Sequence, residues 1–113
     1  MRTKHMLAKS LLTSGLLLSA CSMTLPVRGE TEAGDEMFSG SATGYLDHSG
    51  TLTIQSNKGT TCTGEFVYVT PREGRGTFRC SDGRSGPFEF VSTGSHGTGT
   101  GRLGDRRFTF TFG

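Results

Sequence analysis

The sequence predicts an all-β fold: a small Gly/Phe-rich antiparallel meander of about seven strands, shaped as a strongly bent sheet or a small barrel. Three observations lead there. From Phe38 onward, large apolar residues recur with period two, the spacing of half-buried strands. No apolar i, i+3, i+4 stripe marks a helix in that region. Turn sequences interrupt the alternation repeatedly: Asp47-His48-Ser49-Gly50, Asn57-Lys58-Gly59, Pro71-Arg72-Glu73-Gly74, Asp82-Gly83, Gly94-Ser95 and Gly104-Asp105.

Before the meander comes a leader. Arg2, Lys4, His5 and Lys9 precede an apolar run from Leu11 to Leu18, and small residues follow. That order marks residues 1–20 as a secretory signal peptide, expected as a helix. The run is shorter than the ~20 apolar residues of a stable membrane-spanning helix. Leu18-Ser19-Ala20-Cys21 resembles a bacterial lipobox. The resemblance implies that the Cys21 thiol is acylated, the leader removed and the new N-terminus acylated too. It implies a bacterial cell-envelope location with the membrane as partner through the lipid at Cys21. Ser22, rather than Asp, after that cysteine implies export to the outer membrane. Residues 21–37 are then anchor and tether. Their polar, acidic, aperiodic composition predicts a flexible link reaching on the order of tens of Å.

The β domain is placed at residues 38–113, with strands near 38–46, 51–56, 61–69, 75–81, 86–92, 97–103 and 106–112. Gly94-Ser95 and Gly104-Asp105 suit type II′ hairpin loops, and Asp82-Gly83 resembles a type I′ pair. Folding the chain at its turns gives a register. About Gly104-Asp105, Gly101, Gly99 and Gly97 face Phe108, Phe110 and Phe112. About Gly94-Ser95, Phe90 faces Gly99 and Phe88 faces Gly101. About Pro71, Phe66 faces Gly76, Gly64 faces Phe78, and Cys62 faces Cys80. About Gly59, Leu52 faces Phe66 and Ile54 faces Gly64.

Large rings thus lie across from glycines or small apolar residues. A ring over a glycine restores the burial that the glycine forfeits. The expected core is Phe38, Leu46, Leu52, Ile54, Phe66, Phe78, Phe88, Phe90, Phe108, Phe110 and Phe112. Val67, Val69 and Val91 fall on the polar face, where the tether could cover them. The greasy face requires the meander to close, bend or be covered. An open sheet would instead leave that face as a binding groove.

The chain carries 12 Lys+Arg against 10 Asp+Glu; Arg2, Lys4 and Lys9 leave with the leader, so 9 face 10 in the mature chain. That balance argues against a nucleic-acid binder. The distribution is uneven: residues 21–70 hold 2 basic and 6 acidic groups, residues 71–113 hold 7 and 4. With Cys21 taken by lipid, Cys62 and Cys80 remain as a disulfide pair in an oxidising compartment. Their loop is worth roughly 3 kcal/mol on the chain-entropy model.

Two segments, Thr61-Cys62-Thr63-Gly64-Glu65-Phe66 and Gly74-Arg75-Gly76-Thr77-Phe78-Arg79-Cys80-Ser81-Asp82-Gly83, resemble the hairpin repeats of the membrane-occupation-and-recognition-nexus (MORN) family. Cys62 stands where that family usually has an aromatic, and no full second copy follows. The resemblance implies a meander sheet in a scaffold or membrane-apposed role. Gly99-x-Gly101-x-x-Gly104 spells a dinucleotide fingerprint, but no strand–helix context surrounds it, and no cofactor is expected. His48 and His96 stand alone in turns, so no metal site is expected. Asp82 and Arg84 read as turn formers. No catalytic constellation is found, and an enzyme is not expected.

The function read from the sequence is a lipid-anchored envelope protein whose β domain is a binding or structural module for an envelope protein or glycan. The alternative is an envelope inhibitor of a lytic enzyme. Size, lipobox and single disulfide resemble the membrane-bound lysozyme inhibitors. Their Ser-Gly-x-Arg/Lys-Tyr loop and Trp are missing here, and Ser85-Gly86-Pro87 is a poor match.

Overall fold

The computed structural model describes residues 22–113, which form eight antiparallel strands closed into a barrel. The expected signal helix and Cys21 lie outside the described residues. The strands are β1 (Ser22–Thr31), β2 (Met37–Tyr45), β3 (Ser49–Ser56), β4 (Thr61–Tyr68), β5 (Glu73–Cys80), β6 (Ser85–Thr93), β7 (His96–Leu103) and β8 (Arg106–Phe112). Each pairs with the next, and β1 pairs with β8. The meander is antiparallel as expected, and it closes.

The additional strand is β1, which the sequence reading assigned to the tether. Residues 22–31 are barrel wall, bonded to β2 from Ser22↔Tyr45 to Glu30↔Met37 and to β8 from Val27↔Phe112 to Thr31↔Phe108. Without it, β2 and β8 would both present bare edges. The strand has period two after all: Val27 and Thr31 are buried between exposed or half-exposed neighbours. Pro26 is tolerated because its carbonyl, which accepts from the Gly113 N–H at 3.0 Å, faces the β8 side. Its nitrogen faces the same way, just past the last β1–β8 residue pair, where no ladder bond is lost. Only residues 32–36 remain as a link to β2, and they form a turn. There the Thr31 hydroxyl donates to Asp35 Oδ1 at 2.7 Å and accepts from the Glu36 N–H at 3.3 Å.

The pairings fix the stagger. Paired residues run around the wall from Met23 through Gly44, Gly50, Phe66, Gly76, Phe88, Gly101 and Phe108 to Thr31, eight residues further along β1. Eight strands with this stagger tilt by about 36°, and side chains fill the interior. The filling is mainly phenylalanine. Phe78 lies 4.3 Å from Phe88 and 5.2 Å from Phe108 between ring centroids, and Phe66 lies 5.2 Å from Phe90. Such pairs add about 0.5–1.5 kcal/mol each beyond area burial.

So many rings fit because glycine stands opposite them. A Cβ at Gly76 would sit 2.6 Å from Phe88 Cζ, and one at Gly99 would overlap the Phe110 ring. The anticipated pairings of β4 with β5, β6 with β7 and β7 with β8 are the observed ones. The β3–β4 register differs by two residues, with Leu52 opposite Gly64 and Ile54 opposite Cys62. The chain turns over Asn57-Lys58-Gly59, with Gly59 at φ 84° and the Ser56 N–H bonded to the Thr60 carbonyl at 2.8 Å. A shift of two preserves every side chain's face. The Asp82-Gly83 turn also differs. Only Gly83 takes positive φ, so the connection is a three-residue loop, not a type I′ pair.

Five apolar assignments change: Phe112, expected in the core, is only partly buried against it, Cys62 joins it, and three others shift. Leu46 is 77% exposed, since β2 ends one residue earlier, and it leaves the core. Val27 and Leu103 enter it. Val67, Val69 and Val91 are half-exposed, because the segment expected to cover them is built into the wall.

Candidate functional site

The barrel's two ends differ. At one rim β1, β3, β5 and β7 begin and the even-numbered strands end. There the interior opens into an apolar cavity of about 120 Å³, lined by Met23, Leu25, Val27, Ala42, Gly44, Leu52, Phe66, Tyr68, Phe88, Phe90, Gly94, Phe110 and Phe112. Glycines Gly44 and Gly94 leave the room. Phe90 anchors the wall, 5.2 Å from Tyr68 and 5.5 Å from Phe112, edge to face. An apolar cavity of about 150 Å³ stays dry and takes up a benzene-sized guest. This mouth suits an uncharged apolar group of similar or smaller size, held by dispersion and water exclusion.

The opposite end is closed by charge. Glu36, buried at 3% exposure, accepts from both terminal nitrogens of Arg84 at 2.9 and 3.0 Å. Arg84 also donates Nε to Asp82 Oδ2 at 2.7 Å, and its backbone N–H donates to Asp82 Oδ1 at 3.0 Å. The guanidinium fork holds the Glu36 carboxyl below the ordinary carboxylate range, outweighing burial, which pushes it up. Asp35 lies beside it, bonded to Arg106 and 3.7 Å from the Lys58 ammonium. The Thr31 hydroxyl is the main cause that lowers the Asp35 carboxyl. Ser56 Oγ accepts from the Lys58 and Thr60 N–H groups. This end is a satisfied plug: among the described residues, every buried side-chain nitrogen or oxygen has a partner.

A third feature lies on the outer wall. A broad groove of about 910 Å³ crosses β5 to β8 and β1, with Thr98, Thr100, Thr109 and Thr111 as its floor and Arg28, Glu30, Arg75 and Glu89 at its sides. Its hydroxyls and mixed charges hydrate readily. The mouth is the better candidate site, because it is where apolar concave surface meets solvent.

The sequence-derived site residues fall as follows. Cys21 lies outside the described residues, but Ser22, bonded to it, begins β1 at the open rim. Cys62 and Cys80 face each other across β4 and β5 and are joined by a disulfide of 2.02 Å. The two MORN-like segments fall on β4 and β5 with the turn after it. His48 and His96 stand exposed at the open end, unconnected to each other. Asp82 does form its turn, but Arg84 reaches beyond it to Glu36, 48 residues away in sequence. Two things escaped the sequence reading, that ion pair and the β1 side of the mouth. Met23, Leu25 and Val27 signalled the latter by their alternation. Among the described residues, no group of three or more His, Cys, Asp or Glu is placed to hold a metal, and no helix is long and apolar enough to cross a membrane.

Comparison with protein-family models and with curated proteins finds no match. Among solved structures, a de novo designed fluorescence-activating β-barrel has the same fold. It is 18% identical, with 79% of this chain and 88% of that one covered and a TM-score of 0.61. A redesigned β-barrel solved bound to DFHBI is also similar, at 12% identity, 79% and 90% coverage and a TM-score of 0.61.

Proposed function

We propose that this chain is a lipid-anchored protein of the bacterial cell envelope, held at the outer membrane through Cys21, whose barrel is a binding module for a small apolar group. The observation that carries the reading is the apolar mouth of the barrel. It opens at the rim where β1 begins, one residue after the lipobox cysteine. The similar barrel bound to DFHBI supports a guest inside a fold of this kind. No catalytic role is assigned.

The test is intact mass of the protein purified from membranes, beside a Cys21→Ala variant. A diacylglyceryl-plus-acyl mass is expected, and it should vanish in the variant. An unmodified protein in the soluble fraction would overturn the anchor. Binding is tested separately by titrating the purified protein with a fluorogenic apolar dye. Fluorescence enhancement that Gly44→Val lowers severalfold is expected, because Gly44 lines the mouth with open space at its Cβ position, and no enhancement would remove the binding role.

A further inference from the structure

We infer that the open rim of the barrel is a membrane-docking surface, seated in the headgroup layer of the bilayer that carries the anchor. The inference deepens the anchored reading and rests on it for which bilayer is engaged. Seven large apolar side chains are exposed on the barrel. Six of them, Met23, Tyr45, Leu46, Val67, Val69 and Val91, stand toward the open rim, on the first residues of β1, the last residues of β2, β4 and β6, or just beyond them. The seventh, Met37, begins β2 at the charged end. Scattered exposed apolar residues are ordinary; their concentration at one end is not.

Chain geometry selects the occupant. With residues 22–31 in the barrel wall, no tether remains between Cys21 and the domain. One residue spans about 3.5 Å, so an acylated Cys21 keeps this rim within the interfacial layer. Tyr45 there has the amphipathic ring that favours the membrane–water boundary. Asp47, Arg72 and Glu73, in or beside the turns of the same rim, reach headgroup level. The far end, with Glu36, Arg84, Asp82, Asp35, Lys58 and Arg106, points to water.

The chain has no tryptophan, so a single one reports without background. Full-length lipoprotein carrying Leu46→Trp or, at the far end, Lys58→Trp would be reconstituted in phosphatidylethanolamine–phosphatidylglycerol vesicles with brominated acyl chains. Bromine quenches only tryptophan that reaches the membrane interface. Leu46→Trp should lose about half its emission and shift to the blue, and Lys58→Trp should lose about a tenth or less. Intact mass of the same samples separates the two readings. Acylated protein with neither tryptophan quenched, or with Lys58→Trp quenched more, overturns the docked rim and leaves the anchor standing. Unacylated protein whose Leu46→Trp is still quenched on adding vesicles overturns the anchor and leaves the rim standing.

Discussion

At one end of the barrel a buried carboxylate grips a guanidinium, with a second carboxylate behind it. At the other, aromatic edges line an unfilled hollow and apolar side chains face outward. Both ends are made from the same eight strands, so neither strand chemistry nor sheet geometry accounts for the contrast. It comes from what fills the last layer of the interior. At the closed end Leu103, Phe78 and Phe108 are nearly solvent-free and the ion pair caps them. At the open end the last layer is Tyr68, Phe112 and glycine, and among the described residues no cap follows. One end is closed by a charged pair and the other opens on an apolar hollow.

The largest effect expected is in the closed half. Phe78→Ala should cost about 3–5 kcal/mol, whereas Phe112→Ala at the half-buried mouth should cost about 1–2 kcal/mol. Urea unfolding of both variants checks this, and equal losses would erase the distinction between the ends. Next comes the disulfide. Replacing Cys62 and Cys80 together by Ser should cost about 3 kcal/mol, and reducing the native protein should lower its urea midpoint comparably.

Glu36→Gln should cost about 2 kcal/mol, less than the 3–5 kcal/mol typical of breaking a buried pair, because Arg84 keeps Asp82 and some solvent. Its sign with pH is defined. The folded Glu36 carboxyl titrates below its ordinary value of 4.5. Its stabilisation is therefore full above that value and lost as pH falls through the lowered one. Unfolding curves of native protein and variant should draw together as pH falls below 4.5, and a gap that does not narrow on acidification would show that the pair acts otherwise. The smallest effect on stability is Leu46→Ser, within about 0.5 kcal/mol because the residue is exposed. That variant sharpens the contrast between the ends, since it should weaken vesicle contact while leaving the unfolding curve in place.

The Phe–Gly registers of β4 with β5, β6 with β7 and β7 with β8 could be read from the sequence, because each large ring needs a small residue opposite and few alignments supply it. The β3–β4 register was harder. Asn57-Lys58-Gly59-Thr60 permits loops of different length, and pairings two residues apart bury the same face. β1 was missed for a physical reason. Pro26, Arg28 and Glu30 look foreign to a central strand, and the closure that makes them acceptable involves β8, far along the chain. The Glu36–Arg84 pair was hidden similarly, since its partners meet only once the ends of the sheet join. The lipobox-like Leu18-Ser19-Ala20-Cys21 belongs to a different kind of legibility, since a processing signal of that kind is local and needs no fold around it.

The seam between β1 and β8 has a consequence for how the molecule assembles. Seven seams join strands adjacent in sequence and can zip as hairpins, but the eighth must close a loop spanning the whole domain, at the entropic cost of a long closure. Until it forms, β1 and β8 both present bare edges that complement each other. The β1 edge of a neighbouring copy meets β8 as well as the chain's own does, so crowded refolding invites strand exchange between molecules. Tying one end of β1 to a membrane during folding would keep that strand from wandering.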